Sequence, residues 1–171
     1  MANKFPISNY EIIKKIFIDL DFAKDKGWFF KAKWKDVVVT NLESNFTIIW
    51  ENGIWENGTW RDGTWVDGTW ENGRWLDGIW KNGIWENGTW RWGIWRKGIW
   101  KNGTWQHGIW QHGTWKNGLW QQGLWQQGLW ENGTWVDGTW KDGKIWNPES
   151  REYIKSKLPP NKCKWSLSYG N

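Results

Sequence analysis

The sequence has little of what disulfide-bonded, secreted or membrane proteins need. Its single cysteine, Cys163, excludes an internal disulfide framework and gives no metal-binding pattern. The N-terminal residues MANKFPISNYE lack the charged start and apolar core of a secretory signal, and no apolar run approaches the length of a membrane span. We therefore expect a cytoplasmic protein, or a component of a virus particle assembled in the cytoplasm, with no membrane partner.

Catalytic side chains are also scarce. Residues 49–146 contain no serine and no cysteine, and their two histidines, His107 and His112, lie one repeat apart at a variable position. We interpret both as polar substitutes for asparagine and not as a metal or pH-sensing site. The sequence contains no nucleophile–base–acid set, no phosphate-binding loop and no metal motif. We therefore expect a protein that is not an enzyme, with no catalytic residue, cofactor or metal.

The net charge of +5 is unevenly distributed along the chain. Residues 1–49 sum to +2 (8 basic, 6 acidic), residues 50–143 to −1 (9 basic, 10 acidic) and residues 144–171 to +4 (6 basic, 2 acidic). Five basic and no acidic side chains occur in residues 91–130, namely Arg91, Arg96, Lys97, Lys101 and Lys116. Such an excess attracts anions weakly, but it is more often a solvated surface.

What the chain does have is a five-residue repeat. From Trp50 to Trp140 a tryptophan returns at every fifth residue, and each of the 19 units from Gly53 to Gly143 has a glycine at the same place. An invariant glycine indicates a positive φ or no room for a Cβ atom. The residue before the glycine is Asn or Asp in 13 of the 19 units. The exceptions are Trp92, Lys97, His107, His112, Gln122 and Gln127.

Two folds compete for this repeat. In an antiparallel β-meander, Asn-Gly turns would join three-residue strands as in tryptophan-zipper hairpins. Tight turns require Ile54 to bond backward to Glu51 and Glu56 to bond forward to Thr59. The first and last residues of a three-residue strand aim their backbone groups the same way, so both demands cannot hold. Strand parity therefore favours a solenoid, with the meander as the alternative.

In a solenoid each five-residue unit forms one side of a coil, with Gly53 and Trp55 directed inward. A small residue two places before a large apolar one resembles the pentapeptide-repeat family. The resemblance implies a right-handed quadrilateral β-helix with five residues per side, and about five coils for the 20 tryptophans from Trp50 to Trp146 other than the out-of-phase Trp92. The Asn or Asp follows the large residue here instead of preceding it, which leaves the number of sides open.

The two ends differ from the repeat and are natural caps for a solenoid, whose terminal edges need cover. We predict an N-terminal α/β cap over residues 1–48, the solenoid over 49–146, and a C-terminal helix and basic tail over 147–171. We interpret Lys144 as an insertion that places the next tryptophan at residue 146 and ends the regular array. The predicted cap elements are a helix from Ser8 or Asn9 to about Lys24 that Gly27 ends, strands at Trp28 to Lys33 and Val37 to Thr40, and a helix from Glu149 to Leu158.

The leading functional hypothesis is a structural or interaction protein that presents a side of the rod to a protein partner or to itself. Trp-Asx-Gly repeats resemble phage-encoded sequences, which implies a virion or accessory component. The alternatives are a glycan-binding module, through the out-of-phase and exposed Trp92, and a nucleic-acid-binding protein, through the basic middle and tail. The candidate contact residues are Trp92, Arg91, Arg96, Lys97, Lys101 and Lys116.

Overall fold

A computed structural model describes residues 3–7, 27–29, 31–42 and 47–163, without the side chains of residues 3–7, 35–42 and 47. The predicted helix from Ser8 or Asn9 to Lys24 and the end of the tail lie outside the described residues. Within them the repeat forms a β-solenoid of stacked parallel coils, as strand parity predicts. The antiparallel meander is therefore wrong for the repeat.

The coil has three sides, and the predicted quadrilateral is wrong. Trp65 pairs in parallel with Trp50 on one side and Trp80 on the other, so the coil repeats after 15 residues. Tryptophan size explains the smaller number of sides. Each indole meets the next one along the chain edge to face, with ring centroids 5.6 to 6.1 Å apart. Three such rings, one from each side, occupy the section of the coil and are buried there.

Three longer strands and two shorter ones frame the array: β1 (Asn3–Ile7), β2 (Lys33–Leu42), β3 (Thr47–Asn57), β21 (Lys144–Asn147) and β22 (Glu152–Lys155). Between them lie the two-residue strands β4 (Thr59–Trp60), β5 (Thr64–Trp65), β6 (Thr69–Trp70), β7 (Arg74–Trp75), β8 (Ile79–Trp80), β9 (Ile84–Trp85), β10 (Thr89–Trp90), β11 (Ile94–Trp95), β12 (Ile99–Trp100), β13 (Thr104–Trp105), β14 (Ile109–Trp110), β15 (Thr114–Trp115), β16 (Leu119–Trp120), β17 (Leu124–Trp125), β18 (Leu129–Trp130), β19 (Thr134–Trp135) and β20 (Thr139–Trp140).

We name the three faces by their first tryptophan. Face 1 starts at Trp50, face 2 at Trp55 and face 3 at Trp60, and each face continues with every third strand. The residue before each tryptophan points outward, and the two residues between a tryptophan and the next glycine form a corner. Corner 1–2 therefore joins face 1 to face 2, and corners 2–3 and 3–1 follow in order.

The backbone is bonded from coil to coil along the rod. The N–H of Val66 donates to the carbonyl of Trp50 at 2.7 Å, and that of Arg74 donates to the carbonyl of Gly58 at 2.9 Å, a pattern that recurs along the array. The glycines from Gly53 to Gly143 all have positive φ. A Cβ atom on Gly103 would also overlap the carbonyl oxygen of Gly88 in the coil below. Both reasons for an invariant glycine therefore apply at once.

The tryptophans form three columns inside the rod. Within a column, rings of successive coils stack at 4.6 to 5.2 Å with interplanar angles of 4 to 9°. All 19 repeat indoles are buried. Near the C-terminal end the Nε1 atoms of Trp120 and Trp125 donate to the carbonyls of Asp137 and Asp142, both at 3.1 Å. Burial of these rings supplies the apolar core that the five-residue units otherwise lack.

The N-terminal end of the columns is covered by aromatic rings. Residues 27–29 are helical, and Phe29 lies 6.3 Å from Trp50 and 6.0 Å from Trp55, while Trp28 lies 5.3 Å from Trp60. The predicted strand from Trp28 to Lys33 is therefore wrong at Trp28 and Phe29, and of its described residues only Lys33 lies in a strand. Gly27 lies in the helical turn. These rings contact the first tryptophan of each of the three columns. The predicted strand at Val37 to Thr40 is confirmed within β2, which pairs antiparallel with β3.

The C-terminal end is covered by a β-hairpin, not by the predicted helix from Glu149 to Leu158. β21 pairs antiparallel with β22, and Trp146 packs against Tyr153 at 5.1 Å. The Asn147-Pro148 start that indicates a helix instead begins the turn between these strands, where the Asn147 side chain accepts a hydrogen bond from the Glu149 N–H at 2.9 Å. Covering the open edge of face 2 favours strand over helix.

The repeat continues one unit beyond the predicted insertion. Ile145 pairs with Trp130 and is buried, so it takes the inward place that Trp146 was expected to fill. Lys144 therefore occupies an ordinary outward position and is not an insertion. The pKa of Asp142 at this end is lowered, first by a hydrogen bond from Lys157 and then by the Gly143 N–H.

Candidate binding face

Corner 2–3 is chemically uniform. The residue before the glycine is asparagine in all six coils there, at Asn57, Asn72, Asn87, Asn102, Asn117 and Asn132, and Asn147 occupies the same place before Pro148. The side-chain amide of Asn102 donates to Asn87, and that of Asn117 donates to Asn102, both at 3.5 Å. The asparagines therefore form a ladder along the rod at this corner. The ladder stabilises the turn, and every coil has the same residue at this position.

All six exceptions to Asn or Asp lie at the other two corners, in the same three coils. Corner 3–1 carries three of them and corner 1–2 the other three, so they flank face 1 on both sides. The outward side chains between them are Ile94, Ile109 and Leu124. We call these nine residues the three-coil patch: Trp92, His107 and Gln122 on one edge, Lys97, His112 and Gln127 on the other, and the three aliphatic residues between.

Trp92 and His107 stack on one another at the 3–1 edge of the patch. Their ring centroids lie 4.0 Å apart with an interplanar angle of 30°. Trp92 is 46% exposed, in agreement with its predicted position, whereas every repeat tryptophan is buried. His107 is half-buried, and its Nδ1 atom is buried without a hydrogen-bond partner in the described protein. The stack therefore holds the Trp92 ring against the rod and leaves nearly half of it open.

A groove of about 600 Å³ runs along the rod beside this stack. Its floor is glycine backbone from Gly93 to Gly138, one residue per coil. Trp92, His107 and Gln122 form one wall, and Ile94, Ile109, Leu124 and Thr139 form the other. The groove exists because the side chains of Trp92, His107 and Gln122 project further from the backbone than the Asn or Asp side chains found at other corner positions.

The basic residues singled out from the sequence do not form one surface. Arg91 lies beside Trp92 at corner 3–1, Arg96 and Lys97 lie at corner 1–2, and the remaining two, Lys101 and Lys116, lie at corner 2–3. Lys101 forms an ion pair with Glu86 of the coil below at 2.8 Å. The charges therefore encircle the rod instead of converging on a single ligand.

Sequence reasoning missed four of the six corner residues of the patch, His107, His112, Gln122 and Gln127, as site residues. The signal was present in their spacing, because the six exceptions follow one another at intervals of 5, 10, 5, 10 and 5 residues. That alternation identifies a period of 15, which groups the exceptions on one face. His107 and His112 lie at opposite edges of this face.

Comparisons with protein-family models, curated proteins and solved structures found no match to this chain. Among the described residues, no group of three His, Cys, Asp or Glu side chains is arranged to hold a metal ion. In the same part of the chain, no helix is long and apolar enough to cross a membrane.

Proposed function

We propose that the protein is a non-enzymatic interaction protein, a β-solenoid rod that presents face 1 to a binding partner. The grouping of all six exceptional corner residues around one face of three consecutive coils carries this proposal. The exceptions fall only on the two corners that flank face 1, and corner 2–3 has none. The patch side chains contribute little to the core, so their identity serves something other than folding.

The tryptophan core supports such a role. Trp95, Trp110 and Trp125 lie behind the patch, fully buried, and stack at 4.9 Å. A site on packed strands holds its side chains more firmly than a site on a loop does. The rod therefore provides a firm base for the residues that project from face 1.

The nucleic-acid alternative receives less support. A polyanion gains affinity from basic side chains that meet several successive phosphates on one surface. Here Arg91, Lys97 and Lys101 lie at three different corners. We retain the phage-particle or accessory role as a proposal that rests on the resemblance of Trp-Asx-Gly repeats to phage-encoded sequences. The likeness to pentapeptide-repeat proteins extends to the period and the stacked coils, but not to the number of sides.

The proposal is tested by returning the patch to the repeat. The restored variant carries Trp92→Asp, Lys97→Asn, His107→Asn, His112→Asn, Gln122→Asn and Gln127→Asn. A matched control carries Asn87→Gln, Asn102→Gln and Asn117→Gln at corner 2–3. We expect immobilised wild type and control to retain a shared component from a cell lysate or particle preparation that the restored variant loses. Retention of the same components by all three proteins, or of none by any, would overturn the proposal.

A further inference from the structure

We infer that the groove beside Trp92 binds a neutral oligosaccharide. The inference rests on the proposed function and names the ligand of the same face. It is carried by the size of the groove, by the chemistry of its walls, and by the exposed aromatic ring at one end.

The groove has the size of a small-ligand site. Its volume of about 600 Å³ falls within the range of roughly 300 to 1,000 Å³ that such sites occupy. The coils repeat at about 4.8 Å, so the groove offers equivalent positions at that spacing along its length. This spacing is close to the length of one pyranose unit in an extended chain, so that successive sugars would meet successive coils.

The walls suit uncharged hydroxyl groups. Gln122 provides an amide that both donates and accepts hydrogen bonds, and His107 and Thr139 add further polar atoms. None of the lining side chains is a carboxylate, a lysine or an arginine. Hydroxyl groups therefore find donors and acceptors without a charge that requires a counterion.

The aliphatic wall and Trp92 suit the apolar face of a sugar ring. Pyranose rings have apolar faces of C–H groups, and an aromatic ring offers a flat, apolar surface with a polar N–H at its edge. Trp92 is held against His107 at 4.0 Å, so little side-chain freedom is lost when a ligand packs on it. Ile94 and Ile109 continue the apolar surface into the next coil.

The dimensions favour an oligosaccharide over a folded protein. Five residues at about 3.3 Å and three coils at about 4.8 Å give the patch a plane area of roughly 200 Å². A stable protein interface buries about 800 Å² on each partner. A protein that binds here would need further contacts around the rod, whereas a short glycan is accommodated by the groove itself.

The inference is tested on a glycan array of neutral hexose and N-acetylhexosamine oligomers of increasing length, with sialylated and sulfated counterparts. The strongest neutral binder is then titrated into protein labelled with ¹⁵N at the indole nitrogens, where the Trp92 signal is identified by its loss in Trp92→Asp. We expect the Trp92 signal to shift on titration and Trp92→Asp to weaken binding about tenfold. The restored variant should lose binding, and the corner 2–3 control should bind as wild type does.

Three results would overturn the inference. These are binding of acidic glycans alone, neutral binding that the restored variant retains, and no glycan bound by wild type. If wild type binds no glycan but still captures a partner that the restored variant loses, the ligand is wrong and the proposed function stands. If neither glycan binding nor partner capture depends on the patch, both the oligosaccharide inference and the proposed function are wrong.

Discussion

Corners 2–3 and 3–1 are built on the same backbone and carry different residues. At corner 2–3 asparagine follows asparagine from one end of the rod to the other, and the side chains of Asn87, Asn102 and Asn117 are bonded to one another. At corner 3–1 the series is Asp62, Asp77, Trp92, His107, Gln122 and Asp137. The glycines after both corners have the same positive φ, so the turn itself is unchanged.

The difference separates what the fold requires from what it tolerates. The glycine is present in all 19 units because it avoids a clash with the coil below, and the inward tryptophan fills the core of every coil up to the last unit, where Ile145 takes its place. The corner residue before the glycine is replaceable. The identity of this corner residue can therefore vary with function, whereas the residues at the required positions cannot vary.

The largest expected effect separates the two kinds of tryptophan. Trp100 is fully buried and stacks on Trp85 at 4.7 Å and Trp115 at 4.9 Å, while Trp92 is 46% exposed. Trp100→Ala should lower the free energy of unfolding by about 3–5 kcal/mol, because it leaves a cavity in the core. Trp92→Ala should change it by less than about 1 kcal/mol. Urea unfolding followed by near-ultraviolet circular dichroism measures both, and equal losses would contradict the separation.

Glycine substitution should be costly at both corners. Gly103 follows corner 2–3 and Gly108 follows corner 3–1, with φ of 120° and 126°. An alanine at either would be strained by the positive φ and would crowd the carbonyl oxygen of the glycine in the coil below. We expect each substitution to cost about 2–3 kcal/mol of unfolding free energy in urea titrations.

Gly27→Ala is the control for these substitutions. It lies in the helical turn, and nothing in the described part of the chain is within 4 Å of its added Cβ, so this change should stabilise the protein slightly. If Gly108 tolerated alanine while Gly103 did not, the two corners would differ in backbone as well as in side chains.

The restored variant should be more stable than wild type. Asn52, Asp67 and Asp77 each accept a hydrogen bond from the N–H of the following glycine at 2.7 to 2.8 Å. New bonds of this kind, at a net of about 0.5–1 kcal/mol each, should outweigh the lost Trp92–His107 packing and raise the unfolding free energy by about 1–3 kcal/mol. Calorimetry measures the change in Tm.

The reverse exchange at corner 2–3, with Asn87→Trp, Asn102→His and Asn117→Gln, is the matching test. It breaks the asparagine ladder and should lower Tm while leaving the solenoid folded. A restored variant less stable than wild type would show that the patch residues serve the fold, and would remove the basis for a binding role.

Much of the fold could be predicted from the sequence, and the number of sides could not be predicted from one unit alone. Strand parity and the burial of Trp55 follow from a single five-residue repeat. The three-sided coil depends on how neighbouring indoles pack edge to face, which is a property of the assembled core. The longer period was nevertheless present in the unbroken asparagines at every fifteenth residue from Asn57 to Asn147.

The ends were less predictable because their structure is set by what they cover. The Asn147-Pro148 pair fits the start of a helix and also fits a turn, and only the open edge beside β18 decides for the β-hairpin. Trp28 and Phe29 have the composition of a strand, but they are needed as rings over Trp50, Trp55 and Trp60. Of the patch, the sequence identified Trp92 and Lys97 and missed the residues that the 15-residue period places beside them.

The smallest expected effect concerns the charges at corner 2–3. Lys101 and Glu86 form an ion pair at 2.8 Å, with side chains 44% and 36% exposed. Pairs this exposed contribute little, so Glu86→Gln should lower the unfolding free energy by less than about 0.5 kcal/mol and have no effect in 1 M salt. Glycan or partner binding at the patch should also be unchanged. Weaker binding at the three-coil patch after Glu86→Gln would mean that Lys101 affects face 1 from corner 2–3. Corners 2–3 and 3–1 would then not be independent.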